Sequence, residues 1–307
     1  MVPAVCRVWG AGAIRLHFLD GIQQVNVTEL EKSLSLDTTL VLTVSASDAR
    51  GGVETLESYF WSKFLAWSHG DAERAGQHFA AITTPGHSLE PLARAHHYRA
   101  IFLDPAHLGE DFGALGFAGL VPAGLLGLDL ARLLARAQMM AELCRSDQLE
   151  NNPGVSLGLL LGAMAKHGRN RLTILASPTL LSLGPWISQL LSGSTSNHGR
   201  GIVSVAGERV VGHYPPDRVF VQLQAANEPP AIATELQEAL HLAGHPFIQI
   251  GVRDKYDLAA EIFRWEMSAT VAAIVLGANS CVSTEPAVPE QTLRAAAAEP
   301  ASPASPA

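Results

Sequence analysis

The sequence predicts an α/β protein built from two three-layer αβα subdomains with mostly parallel sheets. Short β-rich apolar runs alternate with longer segments of helical apolar periodicity, which is the pattern of βαβ units. Most strand candidates are apolar throughout, as strands covered on both faces of a sheet are. An Asn-Asn-Pro-Gly turn at 151–154 separates two such series and predicts a boundary near residue 150.

The candidate elements follow one another regularly along the chain. Strands are predicted at 15–19, 39–44, 78–82, 100–103, 172–176, 219–222 and 247–250. Helices are predicted at 53–68, 89–97, 129–144, 155–167, 180–191, 231–243 and 258–276. The apolar run 112–130 contains five glycines and Pro122, which favours a buried helix pair over a membrane span. We therefore expect a first subdomain at 1–150, a second at 151–282, and a disordered Ala/Pro/Ser-rich tail at 283–307.

Composition excludes several classes of protein. The 307 residues are 48% hydrophobic and 16% charged, which is ample material for a buried core. With 29 Asp and Glu against 21 Lys and Arg, the net charge of −8 argues against a nucleic-acid partner. The three cysteines are widely spaced, and no Cys or His pattern has metal-ligand spacing. The first 13 residues lack a signal-peptide core. We expect a cytoplasmic protein with no metal, no cofactor and no membrane partner.

One segment, residues 186–203, carries the most specific pattern in the chain. It resembles the phosphoglucose isomerase signature W-x-x-Q-L-x-A-E-S-T-G-K-x-G-K-G-I-x-P through Trp186, Gln189, Leu190, Ser194, Thr195, Gly199, Gly201 and Ile202. Blocks in the same order extend the resemblance over residues 15–280: Leu16-His17-Phe18-Leu19-Asp20, Gly119-Leu120-Val121-Pro122-Ala123, Asn152-Pro153-Gly154 and Phe263-Arg264-Trp265-Glu266. Within that family, the chain is most similar to the isomerase part of bacterial transaldolase/phosphoglucose isomerase fusions.

The resemblance implies two subdomains of the sugar isomerase (SIS) fold and the interconversion of glucose 6-phosphate and fructose 6-phosphate. It also implies that the first subdomain is incomplete at its N-terminus. The family opens with a strand and a G-x-G-G-S-S-L loop, whereas this chain has only Val8-Trp9-Gly10-Ala11-Gly12-Ala13-Ile14.

The positions that the family uses for chemistry are changed. An aldose–ketose isomerase needs a carboxylate base beside the carbon acid and a cation beside the developing oxyanion. Gly193 stands where the family has its catalytic glutamate, and Asp111 stands at the arginine of its G-G-R-[FY]-S motif. Glu290 lies near the place of the family's final lysine. Catalytic residues are therefore unassigned. His245, which precedes a predicted strand, is either near a site or a turn histidine with a satisfied backbone contact.

A phosphate site is implied by the loop after the second predicted strand. Its Ser45 and Ser47 match the family's S-K-[ST]-x-T-T loop, while the lysine is replaced by Ala46 and Arg50 offers a different cation. A loop between a parallel strand and a helix favours an anion. The alternative is an ordinary polar loop whose Ser and Asp side chains cap the helix.

We expect Ser45, Ser47 and Arg50 to face one cleft with Gln189 and Ser194, because we place both motifs at carboxyl edges of the sheets. Together these residues form the predicted substrate-binding set for a sugar phosphate. Two functions remain open: a phosphoglucose isomerase-like protein with impaired or lost catalysis, or a non-catalytic SIS-fold module that pairs with a transaldolase or a full isomerase. A homodimer is the other predicted assembly.

Overall fold

Two parallel β-sheets with helices packed against them form the framework of the protein. The computed structural model describes residues 14–19, 24–45, 52–105, 110–196, 201–208, 211 and 213–278. The helices in these residues are α1 (Gln24–Ser33), α2 (Gly52–Trp67), α3 (Ala72–Gly76), α4 (Leu89–Ala95), α5 (Phe117–Leu125), α6 (Leu130–Leu143), α7 (Pro153–Lys166), α8 (Leu183–Thr195), α9 (Thr234–Leu242) and α10 (Asp257–Leu276). Short 3₁₀ turns lie at Leu36–Thr38, Glu110–Leu115, Leu149–Asn151 and Pro178–Leu180.

The first sheet has three parallel strands in the order β1 (Val41–Val44), β2 (Phe79–Thr83) and β3 (Ala100–Leu103). Strand β2 is central and buried along its whole length, because its apolar side chains are covered on both faces. Phe79 of β2 packs edge-to-face on Phe64 of α2, with ring centroids 5.2 Å apart. Helix α2 is thereby fixed against one face of this sheet.

The second sheet has four parallel strands in the order β5 (Val203–Ala206), β4 (Arg171–Ala176), β6 (Arg218–Ala225) and β7 (Phe247–Val252). The predicted α/β class with parallel sheets is confirmed. Strand β5 was not predicted, because it is a four-residue edge strand that begins at the exposed Val203.

The strand predicted at 15–19 is wrong. These residues form no strand in the structure. Their apolar residues Leu16 and Phe18 instead pack against the larger hydrophobic core, which satisfies their burial without a sheet. Apolar alternation over five residues reports burial, and here it does not report backbone pairing.

Helices α5 and α6 share their core with the second sheet. Buried Ala123, Leu133 and Ala137 belong to the same apolar cluster as Leu172 of β4 and Trp265 of α10. The boundary near residue 150 stays a prediction. Helices α5 and α6, which precede it, share a hydrophobic core with the strands and helices that follow it. None of the helices in the described part of the chain combines the length and apolar character that a membrane crossing needs.

Three glycines on one side of α7 allow α10 to approach closely. A Cβ added at Gly158 would lie 2.6 Å from the carbonyl oxygen of Ser268 and 2.7 Å from the Cβ of Val271. Gly154 and Gly162 meet α10 at similar distances, one turn earlier and one turn later. The helix pair therefore has no room for a side chain at these positions.

An ion-pair network joins α6 to the start of α10. The guanidinium of Arg253 donates to both carboxylate oxygens of the buried Asp257, at 2.6 and 2.9 Å. Arg136 of α6 approaches the same carboxylate at 3.5 Å, and Arg132 pairs with Asp254 at 2.8 Å. The network links the helix before residue 150 to the last helix of the second core.

Candidate functional site

Helix α8 carries the segment with the most specific sequence pattern, and its two faces differ sharply. Trp186, Ile187, Leu190 and Leu191 are almost fully buried, because they repeat at helical spacing toward the second sheet. Gln189, Ser192 and Gly193 are exposed on the other face. Gln189 and Gly193 are four residues apart, so they are neighbours on the helix surface.

Ser194 does not share that face. It is 3% exposed, and its hydroxyl has no hydrogen-bond partner among the described residues. The neighbouring Thr195 donates its hydroxyl to the carbonyl of Leu191 at 2.6 Å and accepts the N–H of Ile202 at 3.0 Å. Thr195 therefore closes the helix end onto strand β5, while Ser194 lies inside the fold.

The expectation that this motif lies at a carboxyl edge is wrong. The end of α8 contacts the residues that lead into β5, and β5 begins beside Asn170, which immediately precedes β4. The N–H of Val203 donates to the Asn170 carbonyl at 2.9 Å, and the Asn170 amide donates to the Gly201 carbonyl at 3.2 Å. Because a helix that follows a parallel strand runs back to the start of the next one, Ser194 lies at the amino edge of the second sheet.

The predicted phosphate loop is described only at its first residue. Ser47 and Arg50 lie outside the described residues, so their part in substrate binding stays a prediction. Ser45 follows β1 at the carboxyl edge of the first sheet, where its N–H donates to the Ile82 carbonyl at 3.0 Å. Its hydroxyl lies 3.3 Å from Nε2 of His87.

A polar cluster surrounds Ser45, and no sequence motif marks it. His87 is 7% exposed and comes from the loop after β2. The Ser88 hydroxyl donates to the Glu54 carboxylate of α2 at 3.3 Å. Thr83, the last residue of β2, is 1% exposed, and its hydroxyl has no hydrogen-bond partner among the described residues. The sequence signal for this cluster is that polar residues follow two adjacent strands of a parallel sheet.

The segment that matches the family's arginine motif forms the 3₁₀ turn Glu110–Leu115, and Asp111 lies within it. Helix α5 begins directly afterwards and is capped by Asp104, whose carboxylate accepts the N–H of Phe117 at 2.9 Å. Gly119 packs against this turn, since a Cβ there would lie 1.9 Å from the Ala114 carbonyl oxygen. The other changed position, Glu290, lies outside the described residues.

His245 lies away from both carboxyl edges. It precedes β7 and is therefore at the amino edge of the second sheet. Its ring is 5% exposed and meets the rings of Tyr214 and Phe220 edge-on, with centroids 6.3 and 5.5 Å away. The backbone N–H of His245 donates to the Leu240 carbonyl at 3.1 Å, whereas its ring Nδ1 has no hydrogen-bond partner among the described residues.

Helix α10 holds two carboxyl groups with altered proton affinity. Burial raises the pKa of Glu266 to about 8, and one of its oxygens has no partner among the described residues. Burial also raises the pKa of Glu261 to about 7, although Arg264 lies 3.2 Å away and opposes the shift. Within the described residues, no group of three His, Cys, Asp or Glu side chains is placed to hold a metal ion.

Two curated proteins that are similar to this chain carry the same name, glucose-6-phosphate isomerase. No protein-family model matches the chain. The chain is 23% identical over 247 residues to the "Probable glucose-6-phosphate isomerase" of Methanococcus maripaludis, which covers 77% of this chain and 55% of the relative. It is 29% identical over 189 residues to the glucose-6-phosphate isomerase of Thermosynechococcus vestitus, covering 59% of this chain and 34% of that enzyme.

Two crystal structures share the fold over 97% of this chain. A hypothetical protein of Thermus thermophilus matches with a TM-score of 0.82 and 20% identity, over 81% of its own chain. A glucose-6-phosphate isomerase of Chlamydia trachomatis matches with a TM-score of 0.70 and 14% identity, over 68% of its own chain.

The fold is therefore that of the SIS class of α/β proteins, as predicted. Within that class, the chain is related to the glucose-6-phosphate isomerase family. The chain spans 55% of the length of the Methanococcus maripaludis protein and 34% of the length of the Thermosynechococcus vestitus enzyme.

Proposed function

We propose that this chain is a phosphoglucose isomerase-like protein that binds sugar phosphates of the glucose 6-phosphate and fructose 6-phosphate type, with impaired or lost isomerase activity. The proposal includes a cytoplasmic location for the protein. One observation carries the catalytic part. Gly193, exposed on α8 beside Gln189, stands where the related signature has glutamate, and glycine has no group that can accept a proton.

The expected catalytic deficit is large. Losing a general base alone costs about two to four orders of magnitude in rate, or about 3–5 kcal/mol. Asp111 adds a second deficit, because a carboxylate at the arginine position carries the wrong charge for a developing oxyanion. The retained Ser45 at a carboxyl edge supports the binding part of the proposal.

The test has two separate measurements on the purified full chain. Calorimetric titration with fructose 6-phosphate measures binding, and a coupled assay in the direction of glucose 6-phosphate measures turnover. A full-length glucose-6-phosphate isomerase serves as the positive control. We expect saturable binding, and turnover below ~1 per second, which is the low end for enzymes.

The two measurements also separate the alternatives. Turnover above ~1 per second would show an active isomerase with a different base. Saturable binding with no turnover would support the proposal. No binding of fructose 6-phosphate or glucose 6-phosphate would reject it, and would favour the module that pairs with a transaldolase or a full isomerase.

A further inference from the structure

The outer edge of the second sheet is unpaired among the described residues. Strand β7 is the last in the strand order, and β6 pairs with its other side. The N–H of Phe220 in β6 donates to the Pro246 carbonyl at 2.9 Å. Because hydrogen bonding alternates along a parallel strand, the even-numbered residues of β7 face β6. The N–H and carbonyl groups of Phe247, Gln249 and Gly251 therefore point away from the sheet.

Strand β7 also lacks the features that usually protect an edge strand. Its six residues include no charged residue and no proline, and its register with β6 contains no bulge. Natural edge strands are protected by lysine, proline, bulges or a covering segment, because a bare row of N–H and carbonyl groups recruits another strand. Gln249 and Gly251 are exposed. The strand is thus an accessible template for pairing.

Helix α7, beside this edge, is apolar on its outer side as well as on its buried side. It has no charged residue from Pro153 to Ala165, and Leu159 and Leu160 on its outer side are 37% and 36% exposed. A helix that is apolar all round is normally buried. Leu160 and Ile248 of β7 line the same groove, of about 230 Å³. The outer side of α7 and the free edge of β7 therefore form one surface, which we call the β7–α7 surface.

The charge of this surface favours a second copy of the chain as its occupant. Arg264 is the charged residue among those that line the groove, and its guanidinium lies 3.2 Å from the carboxyl group of Glu261. The chain has a net charge of −8, so two copies repel each other where their free acidic groups approach. An apolar surface with its charge paired avoids this repulsion, whereas a strongly charged partner would need an unpaired opposite charge.

We propose that the β7–α7 surface joins two copies of this chain into a symmetric dimer. A two-fold axis through Gln249 sets the two β7 strands antiparallel, pairs Gln249 with its own copy and pairs Phe247 with Gly251 of the partner subunit. Each pair exchanges two hydrogen bonds, because these residues have both backbone groups on the outer side. The same axis places the two α7 helices on one face of the joined sheet, where Leu159 and Leu160 cover each other.

Sedimentation equilibrium of the purified full chain tests the dimer. We expect the unaltered protein to have twice the mass of the chain and to dissociate on dilution. Gln249→Pro removes an outward N–H and keeps the ladder with β6, and Leu160→Glu places a charge in the groove. Each should raise the dissociation constant about 10-fold or more. Leu242→Glu, at a residue of α9 that is 87% exposed, is the matched control and should leave it unchanged.

The second measurement uses the unaltered protein, so it does not depend on the folding of a variant. Amide hydrogen exchange is followed residue by residue at high and at low protein concentration. The N–H groups of Gln249 and Gly251 should be protected in the dimer and should exchange faster on dilution. Those of Ile248 and Ile250 face β6 and are the internal control, because their protection should not change.

The outcomes separate a second copy from other occupants. A monomer at every concentration would overturn the proposal, and so would a dimer that both Gln249→Pro and Leu160→Glu leave intact. Exchange at Gln249 and Gly251 that does not respond to dilution would also reject it. A complex formed only with a transaldolase or a glucose-6-phosphate isomerase would assign the surface to a different protein. None of these measurements contains a sugar phosphate, so their results are independent of the proposed function.

Discussion

Gly193 lies one helical turn after Gln189 on the exposed face of α8. Gly193 is exposed, so a side chain introduced there would lie beside Gln189 on the helix surface and away from the buried face of the helix. This relationship makes the position of the absent base open to direct substitution.

Gly193→Glu should stabilise the protein slightly and leave it without isomerase turnover. Glycine within a helix is less favourable than glutamate by about 0.5 kcal/mol, so the midpoint of thermal unfolding should rise. Turnover should stay below ~1 per second, because the arginine position still holds Asp111. The coupled assay measures this, with Gly193→Gln as the uncharged control. Efficient turnover by Gly193→Glu alone would show that Asp111 does not oppose the reaction.

Gly158→Ala should destabilise the protein by about 1–3 kcal/mol. The added Cβ would lie 2.6 Å from a backbone carbonyl oxygen of α10, so the two helices would have to separate. Chemical denaturation measures the change in the free energy of unfolding. Gly193→Ala is the matched control, since it places the same methyl group on an exposed helical glycine. Equal effects of the two substitutions would contradict close packing between α7 and α10.

Asp257→Asn should lower the free energy of unfolding by about 1.5–3 kcal/mol at neutral pH, the range for hydrogen bonds to charged groups. Burial works against ionisation of Asp257, but the hydrogen bonds and charge of Arg253 outweigh it and hold the pKa of the carboxyl below its ordinary value. The contribution is present above the unfolded pKa and is lost as pH falls through the lower folded pKa.

The difference between Asp257→Asn and the unaltered protein should therefore shrink on acidification below about pH 4. Denaturation curves across pH 2–7 test this. Asp254→Asn, at a more exposed ion pair, should show a smaller effect at every pH. A difference that stays constant down to pH 2 would contradict the charge-based explanation.

Glu266→Gln should stabilise the protein above neutral pH and change little near pH 4. Burial raises the pKa of Glu266 to about 8, so the folded state binds a proton that the unfolded state has already lost between the two pKa values. Stability conferred by this group is greatest below the unfolded pKa and falls as pH rises through the folded pKa. At pH 9 the variant should melt a few degrees higher. Exposed Glu238→Gln is the control, and an equal shift in both variants would reject the role of burial.

The secondary structure could be predicted largely from the sequence, because strands such as β2 and helices such as α10 have uniform periodicity. The segment 15–19 could not, since its burial comes from packing against a distant core. At the site, helical spacing alone places Gln189 and Gly193 together and sets Ser194 apart. The edge of the second sheet at which α8 ends is identified by its contact with the start of β5. That strand is too short and too exposed to be predicted from the sequence. His87 and Thr83 have no motif, and only strand order brings them to Ser45.

The shared core of α5, α6 and the second sheet determines where the chain can be divided into autonomous folding units. A fragment starting at residue 151 would lose Leu133 and Ala137 from its core and would lose Arg136, which approaches the buried Asp257. It would expose apolar surface and aggregate. A fragment from 110 to 278 would keep these partners and should unfold cooperatively. We therefore expect α5 and α6 to melt together with the four-stranded sheet, and the three-stranded sheet with its own helices to melt separately.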